Sequence, residues 1–228
     1  MEESKKTPGY GAIKSYVLRA GRMSPAQRRA YDALFPRFGL PFGAELNFLA
    51  VFGNGNPVTV EIGFGMGIAT AMLAGENPGK NYLGLEVHRP GIGRLLWEIE
   101  RRSLGNIRII EHDAAEALER MIPDDSAAAF HIFFPDPWPK KRHHKRRLIT
   151  RPFTDLLARK LCPGGYVYMV TDWEDYARWA LAELRAAPGL VNTAEDFSPP
   201  QAWRPQTKFE RKGLEAARQI WELFFIRG

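Results

Sequence analysis

The chain has 228 residues, 45% of them apolar and 25% charged, the composition of an ordinary globular domain with room for one sizeable core. No run approaches the roughly 18 uninterrupted apolar residues of a membrane span, and the charged start Met1-Glu2-Glu3-Ser4-Lys5-Lys6 leads into no apolar signal region. A lone cysteine, Cys162, excludes an internal disulfide and fits a reducing, cytoplasmic setting.

The net charge of +6 is unevenly spread. Residues 1–30 carry +5 and residues 140–160 carry +8, so the rest of the chain is acidic, at −7. Two dense basic segments on an otherwise acidic chain are the footprint of a polyanion binder.

In chain order, residues 1–30 are basic, carry Gly9, Gly11 and Gly21, and lack steady apolar periodicity. They read as a flexible basic N-terminal arm, followed by a single domain over 31–228. Ser24-Pro25 has the form of an N-cap and first helical position, opening a helix that carries Tyr31, Leu34 and Phe35. The loop Gly53-Asn54-Gly55-Asn56-Pro57 then precedes the first strong strand. Apolar runs at Val58–Ile62, Tyr82–Val87, Ile107–Ile110, Ala128–Phe134 and Tyr166–Thr171 alternate with helical patterns near 67–76, 90–104, 114–121 and 147–161. A helix near 173–187, capped by Thr171 or Asp172, and a closing strand from Ile220 to Ile226 complete the pattern. The alternation predicts an α/β fold, a mostly parallel central sheet with helices on both faces. Ligands in such sheets lie at the carboxyl ends of the strands. Those ends carry Glu61, Glu86, Asp113, Asp136 and Asp172.

Glu61-Ile62-Gly63-Phe64-Gly65-Met66-Gly67 sits where the first strand meets the first helix of the alternation, its glycines free to turn tightly against a ligand. A dinucleotide fingerprint would need its third glycine at 68, which is isoleucine, so a nicotinamide-dependent oxidoreductase fits poorly. An acid ahead of the first glycine suits an ammonium or sulfonium ligand better than a pyrophosphate. Glu86 stands where a carboxylate takes both hydroxyls of a ribose. Asp113 is placed either to accept from an adenine amino group or to cap the helix beginning Ala114-Ala115-Glu116.

The most specific segment is Phe133-Phe134-Pro135-Asp136-Pro137-Trp138-Pro139-Lys140-Lys141-Arg142-His143-His144-Lys145-Arg146-Arg147. Prolines on both sides of Asp136 forbid a helix through it and predict a stiff, extended backbone. A rigid acid beside an indole, with cations following at once, points to chemistry on a base within a nucleic acid. Lys140 lies nearest the acid; Arg142, His143, His144, Lys145, Arg146 and Arg147 read as holding phosphates and setting orientation. Trp138 either stacks on the base or packs under the loop. The adjacent histidines lack a third ligand nearby, and no metal is expected.

With these motifs together, the chain resembles the class I S-adenosylmethionine-dependent methyltransferases, and more closely the tRNA (guanine-N7-)-methyltransferases. The resemblance covers residue 58 to the end and rests also on Gly84-Leu85-Glu86-Val87-His88, Thr171-Asp172-Trp173 and Thr207-Lys208-Phe209-Glu210-Arg211-Lys212-Gly213. It implies a Rossmann-like methyltransferase domain that uses S-adenosyl-L-methionine, releases S-adenosyl-L-homocysteine and needs no metal. It further implies methylation of N7 of guanine 46 in the tRNA variable loop, by a monomer or homodimer away from membranes. Glu61, Gly63, Gly65, Gly67, Glu86, Asp113 and Asp136 would hold the cofactor, with Asp136 catalytic. Lys140, Asp172, Thr207, Lys208, Phe209 and Glu210 would meet the guanosine, and Arg142, His143, His144, Lys145, Arg146 and Arg147 would touch RNA. Two positions depart from the family pattern: His112 where asparagine is usual, and Phe209 where tyrosine is common. The alternative acceptor is an exocyclic amine of another RNA base, whose enzymes usually show a proline pair before an aromatic rather than alternating prolines. A non-catalytic RNA-binding module would have no need of acids at all five strand ends.

Overall fold

A computed structural model describes residues 14–17, 21–206, 210 and 218–228. Its centre is a seven-stranded sheet made of β1 (Val58–Ile62), β2 (Asn81–Glu86), β3 (Ile107–Glu111), β4 (Ala127–Phe133), β5 (Leu161–Thr171), β6 (Leu190–Asn192) and β7 (Trp221–Arg227), in the order β3-β2-β1-β4-β5-β7-β6. The first five strands run parallel, and β7 inserts antiparallel between β5 and β6. The expected parallel strands stand within a residue or so of their predicted bounds, except β5. That strand starts five residues early, at Leu161, because its first residue pairs with Ala127 before a register shift readmits Tyr166.

The helices are α1 (Pro25–Phe38), α2 (Phe48–Phe52), α3 (Ile68–Glu76), α4 (Arg89–Arg102), α5 (Ala114–Met121), α6 (Arg151–Lys160) and α7 (Glu174–Ala186). Pleating sorts the strand residues between two cores. Val58, Val60, Ile62, Leu83, Leu85 and Ile110 pack with α5, α6 and α7, while Tyr82, Ile107 and Ile109 pack with α1, α3 and α4. Glu61 and Thr59 therefore turn away from the first core, towards the α3 side. Among the described residues no helix is long and apolar enough to cross a membrane.

Three features depart from expectation. The basic arm was expected to run to residue 30, but α1 takes in residues 25–30. Ser24 and Gln27 form a full capping box there, Pro25 opens the helix, and Ala30 is wholly buried. The helix expected over 147–161 begins only at Arg151, since Pro152 has no N–H to bond the carbonyl four residues back and is best tolerated in a first helical turn. The cations ahead of it form a separate 3₁₀ turn, Lys141–Arg146. The short α2 and β6 were not anticipated; five and three residues are too few to show a period.

Candidate active site

The strand order reverses between β1 and β4, and a cavity of about 220 Å³ opens at the carboxyl ends there. Ile62 and Gly63 after β1, Leu85 to Val87 after β2, His112 and Ala114 after β3, and Phe134 to Asp136 after β4 line it.

The glycine loop is built for positive φ, which Gly63, Gly65 and Gly67 adopt at 70°, 56° and 66°. Glu86 stitches this loop to the next strand end. Its carboxylate accepts from the backbone N–H groups of Gly65 (2.8 Å), Val87 (2.7 Å) and His88 (3.0 Å). Glu61 lies behind the cavity wall, 3% exposed, and its Oε2 has no hydrogen-bond partner. Burial pushes its pKa up to about 7; the Thr70 hydroxyl beside it opposes the rise and the charge of Glu86 adds to it. An orphaned, desolvated carboxyl of this kind fits a cationic ligand group.

Asp113 does two things at once. Its Oδ1 caps α5 by accepting from Ala115 and Glu116 N–H at 3.0 and 3.1 Å, while Oδ2 faces Lys14 Nζ at 3.5 Å. The capping alternative is thus realised on one oxygen, and the other faces Lys14. Lys14 also pairs with Glu116 at 2.6 Å, and Ser15 and Tyr16 join the cavity wall. Part of the N-terminal arm therefore crosses the site, which nothing in its composition signalled. His112, the first departure from the family pattern, stacks on Phe42 and meets Glu116 at 2.7 Å.

On the other side of the cavity the proline-flanked acid is solvent-exposed and lines the opening. Its setting is more strained than an extended stretch: Phe134 and Trp138 take φ values of 51° and 46°. Positive φ at bulky residues costs about 1–3 kcal/mol each and marks turns whose shape serves a function. Trp138 packs under the loop. Its Nε1 donates to the Ser15 carbonyl at 2.9 Å, His143 meets the ring edge-on, and the Arg146 guanidinium covers it at 4.9 Å.

The cationic run divides. Lys140, Arg142 and Lys145 are exposed, Arg146 lies on the indole, and His144 packs edge-on against Trp179. Arg147 contradicts its assignment to RNA contact: the residue is 2% exposed and faces inward. One buried arginine among six Lys/Arg residues of the same run was indistinguishable in the sequence.

Asp172 is at the end of β5 as expected, where its Oδ2 accepts from Arg218 at 2.7 Å. Glu210 is buried and pairs with Arg204, which also binds Glu222, itself hydrogen-bonded to Tyr168. Thr207, Lys208 and Phe209 lie outside the described residues. Arg204, Arg218 and Glu222 escaped the sequence reading because nothing in their local pattern marks a long-range ion pair.

A family model described as "Putative methyltransferase" matches residues 55–223. A tRNA (guanine-N(7)-)-methyltransferase of Nitrosospira multiformis is 49% identical over 93% of this chain and 93% of its own length. One from Burkholderia pseudomallei is 53% identical over 93% of this chain and 81% of its own. The chain belongs to the tRNA (guanine-N7-)-methyltransferase family. Among solved structures, the 16S rRNA methyltransferase KamB matches with a TM-score of 0.58 at 14% identity, covering 79% of this chain and 92% of that one. A geranyl diphosphate C-methyltransferase from Streptomyces coelicolor, solved with S-adenosyl-L-homocysteine, matches at 0.52 and 14%, covering 79% and 74%. These two likenesses carry the Rossmann-like fold. For a member of the methyltransferase family, the five strand-end acids now have distinct settings: Glu61 buried, Glu86 and Asp113 tied to backbone, Asp136 exposed, Asp172 in an ion pair.

Proposed function

We propose that this chain transfers the methyl group of S-adenosyl-L-methionine to N7 of a guanosine in tRNA, at position 46 of the variable loop, in the cytoplasm. The observation that carries the reading is an exposed Asp136, on a strained proline turn, facing a cavity whose opposite wall is the glycine loop and Glu86.

When bound, S-adenosyl-L-methionine supplies an electrophilic methyl group on a sulfonium and leaves as S-adenosyl-L-homocysteine. Glu61 offers its orphaned carboxyl to the ammonium, Glu86 takes ribose hydroxyls, and the Oδ2 of Asp113 accepts from the adenine amino group. The glycines at 63, 65 and 67 let the backbone approach without a side chain in the way. Guanine N7 already carries an in-plane lone pair, so no general base is needed. The residues on the acceptor side have to orient the purine and exclude water, a positioning effect worth several kcal/mol of the barrier.

Asp136 and Asp172 are the groups to accept from guanine N1–H and the 2-amino group, a donor pair that adenine lacks. The same carboxylates favour the positive charge that moves onto the purine as N7 is alkylated. Asp172 would exchange its bond to Arg218 for one to the base. Lys140, Thr207, Lys208 and Phe209 would meet the same guanosine, while Glu210, expected among them, is buried against Arg204 and supports the frame instead; Arg142, His143, His144, Lys145 and Arg146 hold the tRNA backbone, orienting it without reading sequence. The base has to be turned out of its stack to reach the cavity.

The test is to incubate the protein with methyl-labelled S-adenosyl-L-methionine and bulk tRNA, then digest and identify the labelled nucleoside. The expected product is 7-methylguanosine, mapped to position 46 by chain cleavage at the methylated base. Label in N6-methyladenosine would move the activity to an exocyclic amine, and absence of label would overturn the proposal.

A further inference from the structure

Arg147 closes the cationic 3₁₀ turn, yet its side chain has no exposed surface at all. A guanidinium sealed from water is held by what surrounds it, and here the partners point one way. Its Nε donates to the Pro137 carbonyl at 3.1 Å. Its Nη2 donates to Asp175 on α7 and lies 3.1 Å from the Nε2 of His144. Its plane lies near the Tyr176 and Trp179 rings, 5.2 Å from each centroid. Those rings are themselves pinned to Ile149, Tyr176 by accepting its N–H at 3.2 Å and Trp179 by donating to its carbonyl at 2.7 Å.

The grip on Pro137 matters because of what that carbonyl belongs to. It is the peptide between Pro137 and Trp138, and Trp138 is one of the two residues held at positive φ on either side of Asp136. A strained turn keeps its shape only when its surroundings over-determine it. Proline 137 has no N–H to offer the frame, so its carbonyl is the handle through which α7 can hold the turn.

We propose that Arg147 is a positioning residue: from behind, it locks the turn that carries Asp136 to the start of α7, and it touches neither tRNA phosphate nor methyl donor. The proposal rests on the reading of Asp136 as the acceptor-side carboxylate. The neighbours of Arg147 in the basic run meet the nucleic acid, and Arg147 aims the acid at it.

The experiment compares Arg147→Met, Arg147→Lys and Asp175→Asn in the full chain. Three quantities are read: kcat and KM for tRNA, the salt dependence of tRNA binding, and hydrogen exchange in a peptide spanning residues 133–141. Arg147→Met is expected to lower kcat roughly 100-fold, as a small misplacement of a reacting group does, with KM and the salt slope unchanged. Arg147→Lys should recover only part of the rate, because an ammonium can reach one partner but cannot lie flat between two rings and bridge two acceptors. Exchange in the 133–141 peptide should quicken in all three variants. The proposal is overturned if Arg147→Met keeps the wild-type kcat. It is equally overturned if the loss appears in KM with a slope shallower by about 0.7, the signature of one lost phosphate contact on single-stranded RNA. Should the Arg147 variants fail to fold, Asp175→Asn decides. Its carboxylate is 64% exposed, so the substitution spares the core, and wild-type exchange in that variant would refute the lock. If the unmodified protein methylates no tRNA, the functional reading fails, while the exchange measurement still tests the lock by itself.

Discussion

The two halves of the site are built by different means. On the side proposed for the cofactor, β1 to β3, most of the groups are held by backbone: Glu86 by three N–H groups of adjacent turns, Asp113 by the first turn of α5, the glycines by their own φ angles. On the side proposed for the acceptor, β4, β5 and β7, they are held by side chains reaching across the chain. Asp172 pairs with Arg218, 46 residues away, Arg204 joins Glu210 to Glu222, and Arg147 joins Pro137 to Asp175. Backbone scaffolding repeats wherever the loop type repeats, which suits a ligand common to many enzymes. Side-chain scaffolding is particular to one chain, which suits a particular acceptor.

The largest expected effect separates the halves outright. Asp136→Ala should lower the single-turnover rate by about 1000-fold or more, the scale of losing a preorganised charged group at the reacting centre. Calorimetry should show methyl-donor affinity within about tenfold of wild type, and much of the salt-dependent tRNA affinity should persist. Wild-type turnover would remove Asp136 from the mechanism.

Next in size is the side-chain frame itself. The side chains of Arg204, Glu210 and Glu222 are 7%, 7% and 2% exposed. Arg204→Met leaves two buried carboxylates without their cation, which should cost about 3–5 kcal/mol in chemical denaturation. A loss near zero would mean that the ion pairs do not hold Arg204 and Glu210 to β7.

The backbone frame should respond more mildly. A Cβ at Gly91, in the first turn of α4, would come within 1.9 Å of the Gly65 carbonyl oxygen, so the glycine loop must move. Gly91→Ala is expected to cost about 1–3 kcal/mol of stability by overpacking and to weaken methyl-donor binding while sparing tRNA binding. Unchanged donor affinity would show that the loop tolerates displacement.

This division also explains what the sequence disclosed. The strands from β1 to β4 and the glycine loop were legible because apolar runs, glycine spacing and strand-end acids are local signals. The proline turn around Asp136 was located correctly but expected to be plainly extended. Pro135 and Pro139 favour extended backbone at the residues just before them, Phe134 and Trp138, and the folded chain overrides that preference at both, holding them at positive φ. Arg147 was grouped with its neighbours because composition cannot tell which face of a 3₁₀ turn looks inward. Arg218 carried no signal, since Asp172 lies 46 residues away, and Arg204 carried none because a pairing six residues apart follows no helix or strand period. The crossing of the cavity by Lys14 to Tyr16 was hidden for the same reason as Arg218.

The smallest effect concerns Glu61 and is read through pH. With its pKa raised to about 7 from an ordinary carboxylate's 4.5, the native protein keeps this proton after the unfolded chain has released it. The native state then binds more protons than the unfolded one, so stability falls as pH rises from about 4.5 to 7. A cationic ligand favours the ionised carboxylate, so its affinity changes in the opposite sense, improving by up to roughly tenfold per unit as pH rises towards 7 and levelling above. Glu61→Gln should flatten this dependence. It should also weaken donor binding at pH 8 by about tenfold, the worth of one charge-assisted bond at about 1.4 kcal/mol. Titration calorimetry of both proteins isolates the contribution of Glu61. If the wild-type affinity shows no more pH dependence than the variant, the buried acid does not meet the ligand's ammonium, and the backbone-held half of the site binds its ligand without it.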